Sequence, residues 1–271
     1  MSCAVYQVDA FTSDAFAGNP AAVCLLPEPH PDTWLQDVAA EMNLSETAFL
    51  RPHRDGAYRL RWFTPSHEVD LCGHATLASA HVLWTEGLLA PDAPARFDTE
   101  GGPLTAIREA DWMTMDFPTA PPHSVDPSPA LLAALDAADP VYTGRSERDL
   151  LVHLPSAEAV RTLDPALPAL ADLDARGVIV TAAVDEDVDE DIDFVSRFFA
   201  PGVGVPEDPV TGSAHCTLGP YWAERLGRSS LRARQVSARG GTVHVECAGP
   251  EADRLALSGR AVTTLRGRLA P

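Results

Sequence analysis

Apolar and polar residues alternate over residues 5–11, and the turn-rich stretch Ala17-Gly18-Asn19-Pro20 separates them from an apolar run at 21–26. Period-two alternation and short apolar runs bounded by Gly and Pro predict two strands joined by a loop. Trp34, Leu35, Val38 and Ala39 recur at helical spacing, so a helix is expected from a cap at Asp32-Thr33 to about Met42. Residues 43–50 lead into another strand, and residues 58–63 alternate again. After the turn at Thr64-Pro65 the pattern predicts a second helix over about 73–85, then strands at 95–99, 104–107 and 112–117.

The Pro-rich stretch at 117–127 reads as a linker between two patterned regions. The expected halves are therefore 1–118 and 119–261, with a last strand at about 262–271 returning to the first half. The second half repeats the order of the first: strands near 141–143, 149–153 and 177–181, a helix near 157–163, a strand at 194–199, a Pro/Gly loop, and a helix over about 212–226. Where loop meets helix the wording itself recurs. Phe63-Thr64-Pro65 leads to Glu68 and Gly73-His74-Ala75, and Phe199-Ala200-Pro201 leads to Glu207 and Gly212-Ser213-Ala214. With a shift of 139 residues Glu, Gly and Ala coincide, which points to two halves related by duplication.

Composition narrows the chemistry. The chain of 271 residues holds 39 acidic and 20 basic residues, a net charge of −19, and every basic residue is Arg. Without lysine there is no pyridoxal-phosphate Schiff base, catalytic lysine, P-loop lysine or kinase-type ATP lysine. The acidic excess opposes nucleic acid and anionic membranes as partners. Five scattered cysteines without a Cys-x-x-Cys pair argue against a disulfide scaffold or zinc ribbon. The first residues carry no basic region, and no apolar run approaches the roughly 18 residues of a membrane span, so a cytoplasmic protein is expected.

A helix N-terminus carries unpaired N–H groups and partial positive charge, so it holds carboxylates and stabilises developing anions. Gly73 and Gly212 each open such a helix. Their plainer reading is a tight turn at a helix start.

The segments at 17–23, 43–49 and 61–65, with Cys72-Gly73-His74-Ala75 and Glu207-Asp208-Pro209-Val210-Thr211-Gly212-Ser213-Ala214, resemble the PhzF family of phenazine-biosynthesis-like isomerases in order and spacing over nearly the whole chain. The resemblance implies an α+β, diaminopimelate-epimerase-like fold: two pseudo-symmetric domains, each with a sheet wrapped around a central helix, and an active site in the interdomain cleft. It implies a homodimer, no cofactor, no metal and a small carboxylate substrate. Glu46 matches the family's proton-transferring glutamate, His74 and Asp208 further catalytic positions, and Ser213 a substrate-lining one. The N–H groups of Gly73 and Gly212 match its carboxylate-binding helix termini.

Two-base epimerases of this superfamily set two cysteines against each other. Here Cys72 takes the first place and Thr211 the second, and a Thr hydroxyl is far less acidic than a thiol. A two-cysteine epimerase is thereby disfavoured. Cys72 itself, at a helix N-terminus, is expected to have a depressed pKa. The leading reading is a cofactor-independent isomerase with Glu46 as acid and base. The alternatives are a Cys72-dependent dehydratase or epimerase, since a Cys/Thr pair also resembles that of the related hydroxyproline dehydratases, and a noncatalytic metabolite-binding member. His67, His74 and His81 are spaced too widely along a helix, roughly 10 Å per seven residues, to share one ion. The acidic run at 185–193 lacks the glycine and closing glutamate of a calcium loop and reads as a solvated loop.

Overall fold

A computed structural model of the chain describes residues 3–137, 139–184, 191–248 and 253–270. Most of the acidic run at 185–193 lies outside the described residues. The chain forms two compact units, one of residues 1–116 with 258–271 and the other of residues 117–257.

The first unit runs β1 (Ala4–Ala10), β2 (Asn19–Leu25), α1 (Asp32–Met42), β3 (Glu46–Pro52), β4 (Tyr58–Phe63), β5 (Glu68–Val69), α2 (Gly73–Thr85), β6 (Ala95–Thr99), β7 (Gly102–Glu109) and β8 (Trp112–Pro118), whose last two residues pass into the second unit. The second unit continues with β9 (His123–Ser124), α3 (Pro129–Leu135), β10 (Tyr142–Arg145), β11 (Asp149–His153), α4 (Ala157–Thr162), α5 (Leu167–Ala171), β12 (Gly177–Ala183), β13 (Phe194–Ala200), β14 (Val205–Asp208), α6 (Gly212–Leu226), β15 (Ser230–Gln235), β16 (Gly241–Cys247) and β17 (Arg254–Gly259), whose last two residues return to the first unit. The closing strand, β18 (Ala261–Arg268), belongs to the first unit and pairs antiparallel with β1.

Strand pairing is the same in both units. In the first, β1 and β2 pair antiparallel, β2 and β3 parallel, β3 and β4 antiparallel, β4 and β5 antiparallel, β4 and β6 parallel, and β6 and β7 antiparallel. In the second, β10 to β16 repeat that series step for step: β10–β11 antiparallel, β11–β12 parallel, β12–β13 antiparallel, β13–β14 antiparallel, β13–β15 parallel, β15–β16 antiparallel. Even the outer partner of the first strand is matched, by β18 on β1 and β9 on β10. The fold is α+β and repeats one design twice, as the PhzF-like pattern implies.

Each unit has one helix that is apolar nearly all round. Helix α2 buries Ala75, Leu77, Ala78, Ala80, Val82 and Leu83 and packs on β1, β2, β3 and β18. Such a helix has no solvent face and forms the core around which strands are laid. Helix α6 buries Ala214, His215, Cys216, Leu218, Tyr221 and Trp222 and packs on β15 and β16. The amphipathic α1 covers an outer face, with Leu35 and Ala39 turned inward. Its N-cap is Pro31, in extended conformation, rather than Asp32, which is the first helical residue and whose carboxylate accepts from Arg61 Nη1 at 2.7 Å.

Candidate active site

In the first unit three of the expected site residues meet. Glu46 opens β3, Cys72 is the N-cap of α2, and His74 is the second residue of that helix. Their ligand atoms lie within 4.8 Å of one another. Glu46 Oε2 is 3.1 Å from His74 Nε2, an ion-pair contact outside hydrogen-bond alignment, and Cys72 Sγ is 3.5 Å from His74 Nδ1. His74 is 5 % exposed and Cys72 6 %. A fourth side chain completes the group: the Asn19 amide nitrogen lies 3.2 Å from His74 Nδ1, and Asn19 Oδ1 accepts from Ser45 Oγ at 3.4 Å.

The local backbone explains why these residues converge. Strands β2 and β3 are parallel neighbours with Ala21 opposite Glu46, so the loop entering β2 and the loop entering β3 end side by side. Gly18 has φ +65°, and a Cβ there would sit 2.2 Å from the Ala10 carbonyl oxygen, so only glycine lets the chain turn into Asn19. The same loop is held by Asp9, whose carboxylate accepts from the Phe16 N–H at 2.7 Å.

Electrostatics correct one expectation. Burial, reinforced by the Glu46 charge, pushes the Cys72 thiol up to about 11, which outweighs any lowering by the helix terminus. Cys72 is thus a protonated thiol at neutral pH. For His74 burial works downward, but the neighbouring Cys72 and Glu46 outweigh it and hold its pKa above the usual value. The same three donors could hold a small soft cation, which would first have to displace the thiol proton.

The remaining expected residues lie in the second unit, around the start of α6. The Asp208 carboxylate accepts from Thr211 Oγ1. Gln235 secures that turn, accepting from the Thr211 N–H at 2.9 Å and donating to the Asp208 carbonyl at 2.7 Å. Ser213 Oγ accepts from Arg176 Nη2 at 3.1 Å, and Arg176 in turn forks onto the buried Asp149. Neither Cys72 nor Thr211 caps its helix through the side chain, so the first-turn N–H groups at Gly73 and Gly212 are left uncapped by them. Asn19, Gln235, Arg176 and Asp149 were not expected as site residues. Asn19 stands inside a quoted motif, whereas Arg176, Asp149 and Gln235 carry no local signal at all.

Among the described residues no helix is long and apolar enough to cross a membrane. The phenazine biosynthesis-like protein family, PhzC/PhzF, matches residues 8–267. A protein of Halalkalibacterium halodurans named as an uncharacterized isomerase is 49% identical over 269 residues, 99% of each chain. The crystal structure of a PhzF-family protein from Enterococcus faecalis superposes with a TM-score of 0.93 at 41% identity, covering 100% of both chains. A hydroxyproline epimerase from Agrobacterium vitis shares the fold alone, with a TM-score of 0.62 at 12% identity over 99% of this chain and 92% of its own. On sequence, pairing pattern and superposition together, the chain belongs to the PhzF family of phenazine biosynthesis-like proteins.

Proposed function

We propose that the protein is a cofactor-independent isomerase of a small carboxylic acid, moving a proton between carbons with Glu46 as both base and acid. The observation that carries this reading is the contact of the Glu46 carboxylate with the buried His74 imidazole, 3.1 Å apart and enclosed with a protonated thiol. The imidazole, its pKa held above the usual value, lies against the Glu46 carboxyl group that acts as the base. Glu46 takes the proton from one carbon, the electron pair shifts along the substrate toward its carboxylate or double bond, and the same carboxyl group returns the proton to another carbon. Nothing is oxidised or reduced, so no cofactor is called for.

His74 holds Glu46 in place. Gly73 supplies backbone N–H groups for an anionic oxygen. To Gly212, Ser213, Thr211 and Asp208 we assign substrate binding. Relatives named as isomerases in Halalkalibacterium halodurans and Pseudomonas aeruginosa agree with this class of reaction. A Cys72 base is disfavoured by a thiol that stays protonated up to about 11.

The test is carbon-bound deuterium. Small unsaturated and hydroxy acids incubated with the protein in D2O should acquire deuterium, read by NMR, and Glu46→Gln should slow the exchange by about 10²- to 10⁴-fold while keeping the wild-type unfolding temperature. Full exchange by Glu46→Gln would overturn the mechanism. A ligand that binds wild-type protein and never exchanges would favour a binding role.

A further inference from the structure

Two turns along α2 from His74, His81 faces a different environment. A cavity of about 210 Å³ in the first unit is lined by His81, Trp84, Arg108, Asp111, Met113 and Arg260, with none of Glu46, Cys72 or His74 among its walls. Arg260 is its distinctive member. Its Nε is buried without a hydrogen-bond partner among the described residues, and its guanidinium lies 4.6 Å over the Trp112 ring. Elsewhere in the chain Arg61, Arg176 and Arg197 each fork onto a carboxylate. In a protein with 39 acidic residues against 20 arginines, Arg260 has a buried Nε that no carboxylate meets among the described residues. The backbone around it is fixed, since the Arg260 carbonyl accepts from the Thr12 N–H at 3.2 Å.

The other walls define what fits. Arg108 uses its Nε on the Ala110 carbonyl at 2.9 Å. His81 contacts Thr263 Oγ1 at 3.0 Å, and burial, with the charges of Arg108 and Arg266 adding to it, presses its pKa down to about 4. Trp84 and Met113 are buried and give the cavity an apolar side. Exposed Asp111 places one negative charge at the edge, which disfavours a dianion.

We propose that this cavity is a second ligand site, taking a small monocarboxylate with an apolar body: the carboxylate on the guanidinium groups of Arg260 and Arg108, the hydrocarbon against Trp84 and Met113. Arginine's planar fork suits a carboxylate, and stacking on Trp112 holds it ready. The site is independent of the reaction assigned to Glu46.

Benzoate and inorganic phosphate are suitable probes. Calorimetric titration of the full-length protein should show benzoate binding more tightly than phosphate, and a crystal soaked in benzoate should place it beside Arg260. Arg260→Met should weaken benzoate at least about tenfold, and Arg108→Met should weaken it as well. If Arg260→Met lowers the unfolding temperature, Arg260→Lys is the variant to measure, and loss of the fork should still weaken binding. Benzoate affinity unchanged in these variants, tighter binding of phosphate, or benzoate found only at the start of α2 would overturn the proposal. So would an Arg260→Met effect on self-association in place of an effect on benzoate, since a second copy of the chain would then be what covers the cavity.

Discussion

Glu46, Cys72 and His74 were readable as candidates because each stands in a short motif, and the structure brings all three together with Asn19. Their protonation was not readable, since it depends on burial that local sequence does not express. Cys72 shows the consequence. A thiol pushed up to about 11, against an ordinary value of 9.0, presents about a hundredfold less thiolate at neutral pH. Iodoacetamide at pH 7.5 should therefore label Cys72 far more slowly than a free cysteine. Because the Glu46 charge contributes to that shift, Glu46→Gln should speed the labelling, followed by peptide mass spectrometry. His215 makes a second residue-scale case. Its Nδ1 bonds the Thr211 carbonyl at 2.7 Å, its Nε2 is buried without a partner among the described residues, and burial lowers its pKa to about 4. Between the unfolded value of 6.5 and about 4 the unfolded chain binds the proton and the folded chain does not. Stability from this group is complete above pH 6.5 and is lost as pH falls toward 4, by up to about 3 kcal/mol. Urea denaturation at pH 7 and pH 4.5 should show that loss, and His215→Asn should flatten it.

At the scale of elements, the long periodic segments were legible and the short or proline-marked ones were not. Helices α1, α2 and α6 follow their apolar spacing. Helix α3 was missed because Ser128-Pro129, its cap and first residue, adjoins the Pro-rich stretch and reads as more linker; Ser128 Oγ in fact accepts from the Leu131 N–H. Strand β15 alternates in burial, but its inward residues are Leu231, Ala233 and Gln235, too weakly apolar in sum to stand out. The coincidence of Glu68 and Glu207 in the two halves has a structural cause. Arg61 at β4 forks onto Glu68 at 2.7 Å and lies over Phe63, while Arg197 at β13 forks onto Glu207 at 2.7 and 2.9 Å and lies over Phe199. Each fork ties a strand to the short strand, β5 or β14, ahead of a central helix. The two are not equal in cost. Without Glu68, Arg61 keeps the Asp32 carboxylate; without Glu207, Arg197 is left with the carbonyls of Val160 and Leu163. Glu207→Gln should accordingly destabilise by about 2 kcal/mol and Glu68→Gln by about 1 kcal/mol, measured by denaturant unfolding.

For the whole molecule the question is what the −19 charge does. It is not a device of the Glu46 cluster, where the described charge is one carboxylate against one imidazole. The arginines do not neutralise the excess at large either, because many are committed locally: Arg61, Arg176 and Arg197 in forks, Arg228 on Asp193, Arg232 on Asp191 and Arg266 on Glu86. What remains is mutual repulsion among carboxylates spread through the chain, which opposes the compact state and is long-ranged. Salt screens such repulsion over a Debye length that is already about 10 Å at 0.1 M. The exposed ion pairs, worth at most about 1 kcal/mol each, weaken over the same range and offset part of the gain. The benefit from screening saturates early. The unfolding temperature should rise between 10 mM and about 0.2 M NaCl and stay level toward molar salt. Scanning calorimetry across that range decides the matter: a temperature that keeps climbing through molar salt would mean that the acidic surface is built for a salt-rich cell, and a plateau that the missing lysines and surplus carboxylates are a matter of composition that the fold tolerates.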